Sequence, residues 1–265
     1  MSKTISKLLQ FEQRGAIGIL TLNRPQAMNA LCRELREAIE QRLSQCEADN
    51  SIRVLVITGT GKAFCAGNDL KELSDSNFGA NVAEAGKTEL AEKFAAFKGP
   101  IIAAVNGFCI TAGFEMALAC DLIIASDKAV FADTHARVGV LPGWGLSQRL
   151  PRLIGMARAK ELAFTGNQIS AEQACQWGFV NRVVEPDKLM SVSLQLAEDM
   201  CSCEPRALIE YKALIHRGMS MHFDDAIAYE AAEGIAASAR TDAATINQRR
   251  EQVIDRGREQ KNQSS

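Results

Sequence analysis

The sequence predicts an α/β fold in which buried parallel strands are covered by helices. Short apolar segments alternate with helical segments through the first two-thirds of the 265-residue chain. Strands that are apolar along their whole length are typical of parallel sheets with both faces covered. A chain of this length buries roughly 70–75% of the surface of its unfolded form, so the fold needs no disulfide or metal to stabilise it.

The predicted strands are short apolar segments, and glycine or proline bounds several of them. Strands are expected at 17–22, 53–58, 101–105, 121–125 and 129–131. A helix is predicted over 29–47, because apolar residues recur there every four positions with charged residues between them. These apolar residues are Leu31, Leu35, Ile39 and Leu43.

The remaining segments are predicted from weaker patterns. Segment 72–86 has no clean periodicity and contains several Ser, Asn and Gly residues, so we expect a loop that leads into a helix near 89–97. Helical patterns dominate from Asp187 onward, and the polar segment 241–265 is typical of a solvent-exposed helix. We expect a core over 1–200 and a C-terminal helical region over 201–265.

Composition and charge exclude several classes of protein. The chain is 47% hydrophobic and 23% charged, and its formal net charge is −2. This balance excludes a disordered chain and gives no global field for nucleic acid or anionic lipid. No apolar segment approaches the roughly 20 residues that a membrane span requires. We therefore expect neither a nucleic-acid partner nor a membrane.

The eight cysteines do not form a disulfide or zinc pattern. Their spacing is irregular, the chain contains no Cys-x-x-Cys pair, and no secretory signal precedes them. Most lie among aliphatic residues, where a free thiol packs as a small apolar group. A reducing, cytoplasmic location is the expectation.

Two nucleotide-binding motifs fail near the end of the second predicted strand. A dinucleotide fingerprint needs glycine where Phe64 stands, and a Walker A loop needs Ser or Thr where Ala63 stands. The chain has only three histidines and no His-Glu-x-x-His sequence. We therefore expect neither a metal site nor a bound cofactor.

Two glycine-containing turns, 64–70 and 106–115, each follow a buried strand. Backbone N–H groups in such turns, or at a helix N-terminus, lack intrahelical acceptors and attract negative charge. Two of them directed at one oxygen form an oxyanion hole, in which each donor contributes about 3–4 kcal/mol of transition-state stabilisation. Alternatively, the glycines serve only tight turns and close packing.

Glu115 and His135 are the two candidate acid–base residues. Glu115 begins an otherwise apolar short helix, predicted over 114–120, where it either stabilises the helix dipole or acts as a general base or acid in a dry pocket. His135 follows the last predicted strand. It is either a hydrogen-bonded loop residue or a proton donor with an ordinary pKa near 6.5.

These motifs together resemble the crotonase superfamily of enoyl-CoA hydratases and isomerases. The resemblance runs from about Ile17 to at least Val184 and rests on several motifs that occur in the family's order. It implies a spiral of ββα turns with a C-terminal helical region, an acyl-CoA ligand, no separate cofactor, and a homo-oligomer, either trimer or hexamer. The motifs are LNRPQAMNAL, FCAGND, IAAVNG, EMALACD, LPG, QRL and TG.

The resemblance also implies roles for individual residues. The N–H groups of Asn68 and Ala112 match the two oxyanion-hole donors, although the family often has glycine at the second position. Glu115 matches the first catalytic glutamate, and the second falls on His135. Gly143 matches a glycine whose backbone helps to position the reacting water. The implied substrate- and CoA-side positions are Ala27, Lys62, Ala63, Ala66, Gly67, Asp69 and Leu70.

The chain also departs from the family pattern near the acyl group and at its C-terminal end. Trp144 adds bulk to a loop that is otherwise glycine-rich, and the family's Phe-x-Glu-Lys-Arg sequence is absent after Thr241. The resemblance implies reversible hydration of a trans-2-enoyl-CoA, in which His135 or Glu115 itself supplies the second proton. Two alternatives stay open: Δ3,Δ2-enoyl-CoA isomerisation, which needs one base, and a non-catalytic acyl-CoA-binding protein.

Overall fold

The computed structural model describes residues 6–74 and 89–263. The chain divides into two compact units, and the division falls between Ile209 and Glu210. The first unit contains every strand of the described chain. The strands are β1 (Leu9–Arg14), β2 (Ile17–Leu22), β3 (Val54–Gly59), β4 (Ala63–Cys65), β5 (Ile101–Val105), β6 (Phe108–Ile110), β7 (Leu122–Ser126), β8 (Val130–Ala132), β9 (Ile169–Ser170) and β10 (Arg182–Val184).

Helices follow most of the strand pairs and make up the C-terminal part of the chain. A single 3₁₀ turn, Pro25–Ala27, precedes the first helix. The α-helices are α1 (Arg33–Ala48), α2 (Leu70–Leu73), α3 (Leu90–Ala96), α4 (Ala112–Ala119), α5 (His135–Val138), α6 (Leu146–Ile154), α7 (Met156–Thr165), α8 (Ala171–Trp177), α9 (Leu189–Cys201), α10 (Pro205–Gly218), α11 (Phe223–Ser238) and α12 (Ala243–Gln263).

The strands form two sheets. The larger has the order β1-β2-β3-β5-β7-β10 and the smaller has the order β4-β6-β8-β9. All neighbours are parallel except β1 with β2 and β8 with β9. The predicted parallel sheets are therefore confirmed.

A ββα unit repeats three times along the chain. In the pairs β3–β4, β5–β6 and β7–β8, the first strand joins the larger sheet, the second joins the smaller sheet, and a helix follows. Successive units therefore lie side by side in both sheets. The predicted spiral of ββα turns is confirmed, and it places the carboxyl ends of β4, β6 and β8 at one edge of the smaller sheet.

Apolar side chains fill both faces of the larger sheet. One face joins the main core, where the rings of Phe114, Phe131 and Phe179 pack with centroids 5.2–5.5 Å apart. On the other face, α9 packs on β2, β3, β5 and β7, burying Leu189 and Ala197 against Val54. Burial on both faces explains why these strands are apolar along their whole length.

Most predicted elements occur within a few residues of their expected bounds, but two differ, and five strands were not predicted: β1, β4, β6, β9 and β10. Helix α1 begins at Arg33 rather than at 29, because Met28 and Asn29 have φ values of 50° and 55° and cannot continue a helix. Helix α2 occupies the start of the predicted loop 72–86, and residues 75–88 lie outside the described chain. Strand β1 was not predicted, because exposed polar residues dominate it.

All eight cysteines lie in the described chain and are free thiols. Four of them, including Cys65 and Cys109, are almost completely buried. Across residues 6–74 and 89–263, no helix is both long and apolar enough to cross a bilayer.

Candidate active site

Two turns meet where β4 and β6 end side by side. The strands pair in parallel, with Cys65 opposite Cys109, so both chains leave the smaller sheet at the same edge. The first turn continues to α2 and the second to α4. The pairing of β4 with β6 thus brings together the two glycine-containing segments that the sequence singled out.

Glycines permit the close approach of the two turns. A Cβ atom added at Gly113 would lie 2.1 Å from the carbonyl oxygen of Cys65, which is backbone and cannot move aside cheaply. A Cβ added at Gly67 would lie 3.7 Å from the nitrogen of Ala112, and φ at Gly67 is +99°. Gly113 therefore serves packing, and Gly67 serves a left-handed turn beside Ala112.

The N–H groups of Asn68 and Ala112 have no hydrogen-bond acceptor within the described residues. Ala112 is the first residue of α4, so its N–H lacks an intrahelical partner. The neighbouring N–H of Asp69, in contrast, donates to the carbonyl of Leu31 at 3.1 Å. These two free donors fit the predicted oxyanion hole.

Thr111, which precedes Ala112, has a strained backbone with φ 53° and ψ −112°. Such a conformation is rare for a β-branched residue and costs about 1–3 kcal/mol. Three contacts hold it in place: Thr111 N–H donates to Ala132 O at 2.9 Å, its hydroxyl accepts from Thr134 N–H at 3.3 Å, and the two hydroxyls lie 2.5 Å apart. The turn at Ala112 is thereby attached to the segment after β8.

Glu115 is buried on the first turn of α4, where only 3% of the residue is exposed. Its Oε1 accepts the N–H of Trp144 at 2.8 Å and that of Leu146 at 3.4 Å. Its Oε2 lies 3.5 Å from Nε2 of His135. One carboxylate oxygen is therefore held by backbone donors, and the other faces an imidazole.

His135 lies between two carboxylates. Its Nδ1 is 2.6 Å from Oδ1 of Asp133, and its backbone N–H also donates to that oxygen at 3.2 Å. Burial lowers the pKa of the imidazole, but the hydrogen bonds and charges of Asp133 and Glu115 outweigh burial and raise the pKa of His135 to about 9. The expectation of an ordinary pKa near 6.5 is wrong, because it took no account of these two acidic neighbours.

Glu115 and His135 line one cavity. Its wall also contains the turn after β4, an aliphatic side made by α2 and the end of α5, and Trp144. Glu115 and His135 are the only ionisable side chains among the described lining residues. The predicted site residues that line it are Ala66, Gly67, Asn68, Leu70, Glu115, His135 and Gly143.

The other predicted residues are not among those that line the cavity. Ala112, next to the lining residue Thr111, is 1% exposed, and Ala63 is completely buried. Ala27 ends the 3₁₀ turn, and Lys62 is exposed in the turn before β4. Their contact with a CoA moiety remains a prediction.

The carboxylate of Asp69 forms an ion pair. Its Oδ2 is 2.6 Å from the guanidinium of Arg24, and its Oδ1 caps α2 by accepting the N–H of Lys71 at 3.0 Å. Burial raises the pKa of Asp69, but these bonds outweigh it and lower the pKa below its usual value. Asp69 therefore fixes the turn after β4 to the segment that contains the 3₁₀ turn.

Sequence reasoning assigned no role to four structurally important residues. Asn29 is buried and donates to the carbonyls of Thr60 and Ala63 at 2.9 and 2.7 Å, which fixes the approach to the cavity. The others are Asp133, Thr111 and Thr134. An acidic residue two positions before His135 is the one signal that the sequence offered. No sequence signal indicated the positive φ of Thr111, because threonine disfavours that conformation.

Comparisons with known proteins show which family the chain is similar to. The family model described as enoyl-CoA hydratase/isomerase matches residues 12–245. The chain is 38% identical over 232 residues to the probable peroxisomal enoyl-CoA hydratase 1 of Arabidopsis thaliana, covering 87% of each protein. It is 38% identical over 229 residues to the short-chain-enoyl-CoA hydratase of Clostridium acetobutylicum, covering 83% of this chain and 85% of that one.

Solved structures show the same fold. The enoyl-CoA hydratase of Bacillus anthracis superimposes with a TM-score of 0.87 at 33% identity, over 92% of this chain and 96% of that one. Pseudomonas aeruginosa DspI superimposes with a TM-score of 0.88 at 31% identity, over 95% and 97%. The resemblance found in the sequence motifs is confirmed, and the chain belongs to the enoyl-CoA hydratase/isomerase family.

Proposed function

We propose that the chain is an enoyl-CoA hydratase that adds water reversibly to a trans-2-enoyl-CoA thioester. The observation that carries the proposal is the pair formed by Glu115 and His135 on the cavity wall, beside two free backbone N–H groups. The names of the similar proteins support the same activity. Hydration by Glu115 and His135 needs no cofactor, since coenzyme A is part of the substrate.

The thioester carbonyl oxygen accepts hydrogen bonds from the N–H groups of Asn68 and Ala112. Addition of water moves negative charge onto that oxygen, so the two donors bind the enolate-like transition state more tightly than the ground state. They are already held in place by the glycine contacts and by the strained turn at Thr111. Little reorganisation is then needed when the charge develops.

Glu115 and His135 divide the two protons of the reaction. Glu115 accepts a proton from water while the water oxygen bonds to C3. The electron pair of the double bond moves toward the thioester, and His135 gives the proton on Nε2 to C2. With a pKa raised to about 9, His135 holds that proton at neutral pH and acts as the acid rather than as the base. Gly143, on the same cavity wall, helps to position the water.

The presence of a second proton-carrying group favours hydration over Δ3,Δ2-isomerisation, because moving a proton between C4 and C2 needs only one base. Retention of Glu115 and both turns also disfavours a non-catalytic binding protein. The CoA moiety approaches along Ala27, Lys62, Ala63, Ala66, Asp69 and Leu70.

A panel of 2-enoyl and 3-enoyl thioesters tests the proposal. Hydration adds 18 Da to a 2-enoyl thioester, which mass spectrometry detects, whereas isomerisation leaves the mass unchanged. Conversion of 3-enoyl substrates without gain of mass would support the isomerase alternative. Tight CoA binding without turnover of any member of the panel would support the binding protein.

We further propose a homo-oligomer, trimer or hexamer, in the cytoplasm. Helix α11 has no buried residue in the single chain, and it exposes Phe223, Ile227 and Ile235; such apolar surface is typical of an interface. The free thiols favour a reducing compartment. Light scattering is expected to give three or six times the 28.8 kDa of one chain, and a monomer at micromolar concentration contradicts the oligomer.

A further inference from the structure

The carboxylate of Asp133 lies next to the cavity but does not line it. The residue is 3% exposed and follows β8, two positions before His135. Its Oδ1 accepts two hydrogen bonds from His135, one from the ring at 2.6 Å and one from the backbone at 3.2 Å. A buried carboxylate is costly unless it is paired and hydrogen-bonded, and His135 supplies both of these bonds.

We infer that Asp133 is a positioning residue, whose carboxylate orients the ring of His135 so that Nδ1–H faces Asp133 and Nε2 faces Glu115 and the cavity. The catalytic meaning of this inference rests on the proposed function. Asp133 touches neither the cavity nor a reacting atom, so it acts through His135 alone.

The hydrogen-bond geometry fixes which nitrogen can exchange a proton. An ionised carboxylate only accepts hydrogen bonds, so Nδ1 must carry a proton as long as it faces Asp133. The proton that His135 can give away is therefore the one on Nε2, which points to Oε2 of Glu115 at 3.5 Å. The backbone bond to the same Oδ1 limits rotation of the whole residue and keeps this orientation.

Of the two contacts between His135 and a carboxylate, the one to Asp133 is the shorter. Glu115 and Asp133 are the two acidic groups in contact with the ring, and Asp133 is closer by 0.9 Å between the nearest atoms. Helix α7, which packs on α5, carries Arg158, Lys160 and Glu161, all exposed to solvent. Arg137 donates to the carbonyl of Thr165 at 2.6 Å and is exposed. Among the contributions that raise the pKa of His135, the hydrogen bond to Asp133 is the largest, followed by the hydrogen bond and the charge of Glu115.

The same geometry completes the proton balance of the reaction. After one hydration, Glu115 carries the proton taken from water and His135 has lost the proton on Nε2 to C2. Since Asp133 still holds Nδ1–H, the vacant position is Nε2, directly opposite Oε2 of Glu115. Transfer of one proton from Glu115 to His135 restores both groups without any other donor.

Titration of the histidine signals by NMR, without substrate, tests the inference. The chain has three histidines, and His135→Gln identifies the signal of His135. We expect a pKa near 9 in the wild type, lowered by about 1–3 in Asp133→Asn, which keeps the acceptor oxygen but removes the charge. Glu115→Gln is expected to lower the pKa of His135 by less. Asp49→Asn, at an exposed aspartate, is expected to leave that pKa unchanged. A wild-type pKa at or below 7 overturns the inference, as does a larger effect of Glu115→Gln.

The pH profile of kcat/KM for enoyl-CoA hydration supplies a second readout. It reports the free enzyme, so its alkaline limb is expected to shift in Asp133→Asn by the same amount as the NMR titration. A variant that loses activity at every pH, with the limb unmoved, shows a structural role only and overturns the inference. Absence of turnover in the wild type contradicts the proposed function instead, and the NMR titration still decides the role of Asp133.

Discussion

The carboxylate of Glu115 and the imidazole of His135 face one another on the cavity wall, with 3.5 Å between Oε2 and Nε2. Both residues are buried, and each compensates for part of the cost of burying the other's charge. Backbone N–H groups from 144 and 146 fix the carboxylate, and Asp133 fixes the imidazole. Hydrogen bonds thus hold each member of the pair in place.

Glu115→Gln is expected to reduce the kcat of hydration about 10²–10⁴-fold, because the amide cannot accept the proton from water. The amide oxygen can still accept the N–H groups of Trp144 and Leu146, so the variant should fold, with a melting temperature lowered by the loss of the buried ion pair with His135. The loss of the enoyl absorbance measures the rate. Full hydratase activity in a correctly folded Glu115→Gln variant contradicts the mechanism.

The motifs predicted the position of this pair but not its interactions. Glu115 was identified because a carboxylate begins an apolar helix, and His135 because it follows a predicted strand and falls on the position of the family's second glutamate. Their contact depends on the pairing of β4, β6 and β8, which no local pattern specifies. The raised pKa of His135 depends on Asp133, whose distance from the ring is set by the backbone after β8.

The fold was predictable to a similar degree. Buried strands such as β5 are apolar throughout and were found directly, whereas β1 pairs only at the edge of the larger sheet and exposes most of its residues. The start of α1 depends on the left-handed backbone of Met28 and Asn29. Neither residue signals that conformation strongly, because tertiary hydrogen bonds of the Asn29 side chain impose it.

Folding stability should fall as the pH rises from about 6.5 to about 9, through the contribution of His135. Its pKa is about 9 in the folded protein against an ordinary value of 6.5 for histidine, so above pH 6.5 the folded state binds more protons than the unfolded state. The contribution is complete below pH 6.5 and is lost above pH 9. Urea unfolding of wild type and His135→Gln across this range measures it as the difference between the two. A difference that stays constant or grows with pH contradicts the prediction.

Gly113→Ala should both destabilise the protein and reduce kcat. The new Cβ would lie 2.1 Å from the carbonyl oxygen of Cys65, and overpacking of this kind costs about 1–3 kcal/mol. Relief of the clash moves α4 away from the turn after β4, which separates the two oxyanion-hole donors.

Gly257→Ala is the matched control for this substitution. Gly257 lies inside α12 with open space at the position of a Cβ atom, so alanine should stabilise that helix by about 0.5–1 kcal/mol. Chemical denaturation and steady-state kinetics on both variants make the comparison. If Gly113→Ala is as stable and as active as Gly257→Ala, the close packing of the two turns contributes neither to stability nor to catalysis.

Thr134→Val is expected to lower kcat about tenfold with a smaller effect on KM. Valine matches threonine in shape but removes the hydroxyl that bonds to Thr111, 2.5 Å away. The lost bond costs about 0.5–1.5 kcal/mol of stability, and the strained turn at Thr111 then relaxes, so the N–H of Ala112 moves from the position that stabilises the transition state. Thr134→Ser keeps the hydroxyl and should retain nearly full kcat. Equal activity of Thr134→Val and Thr134→Ser would show that the backbone bond between Thr111 and Ala132 suffices to hold the donor.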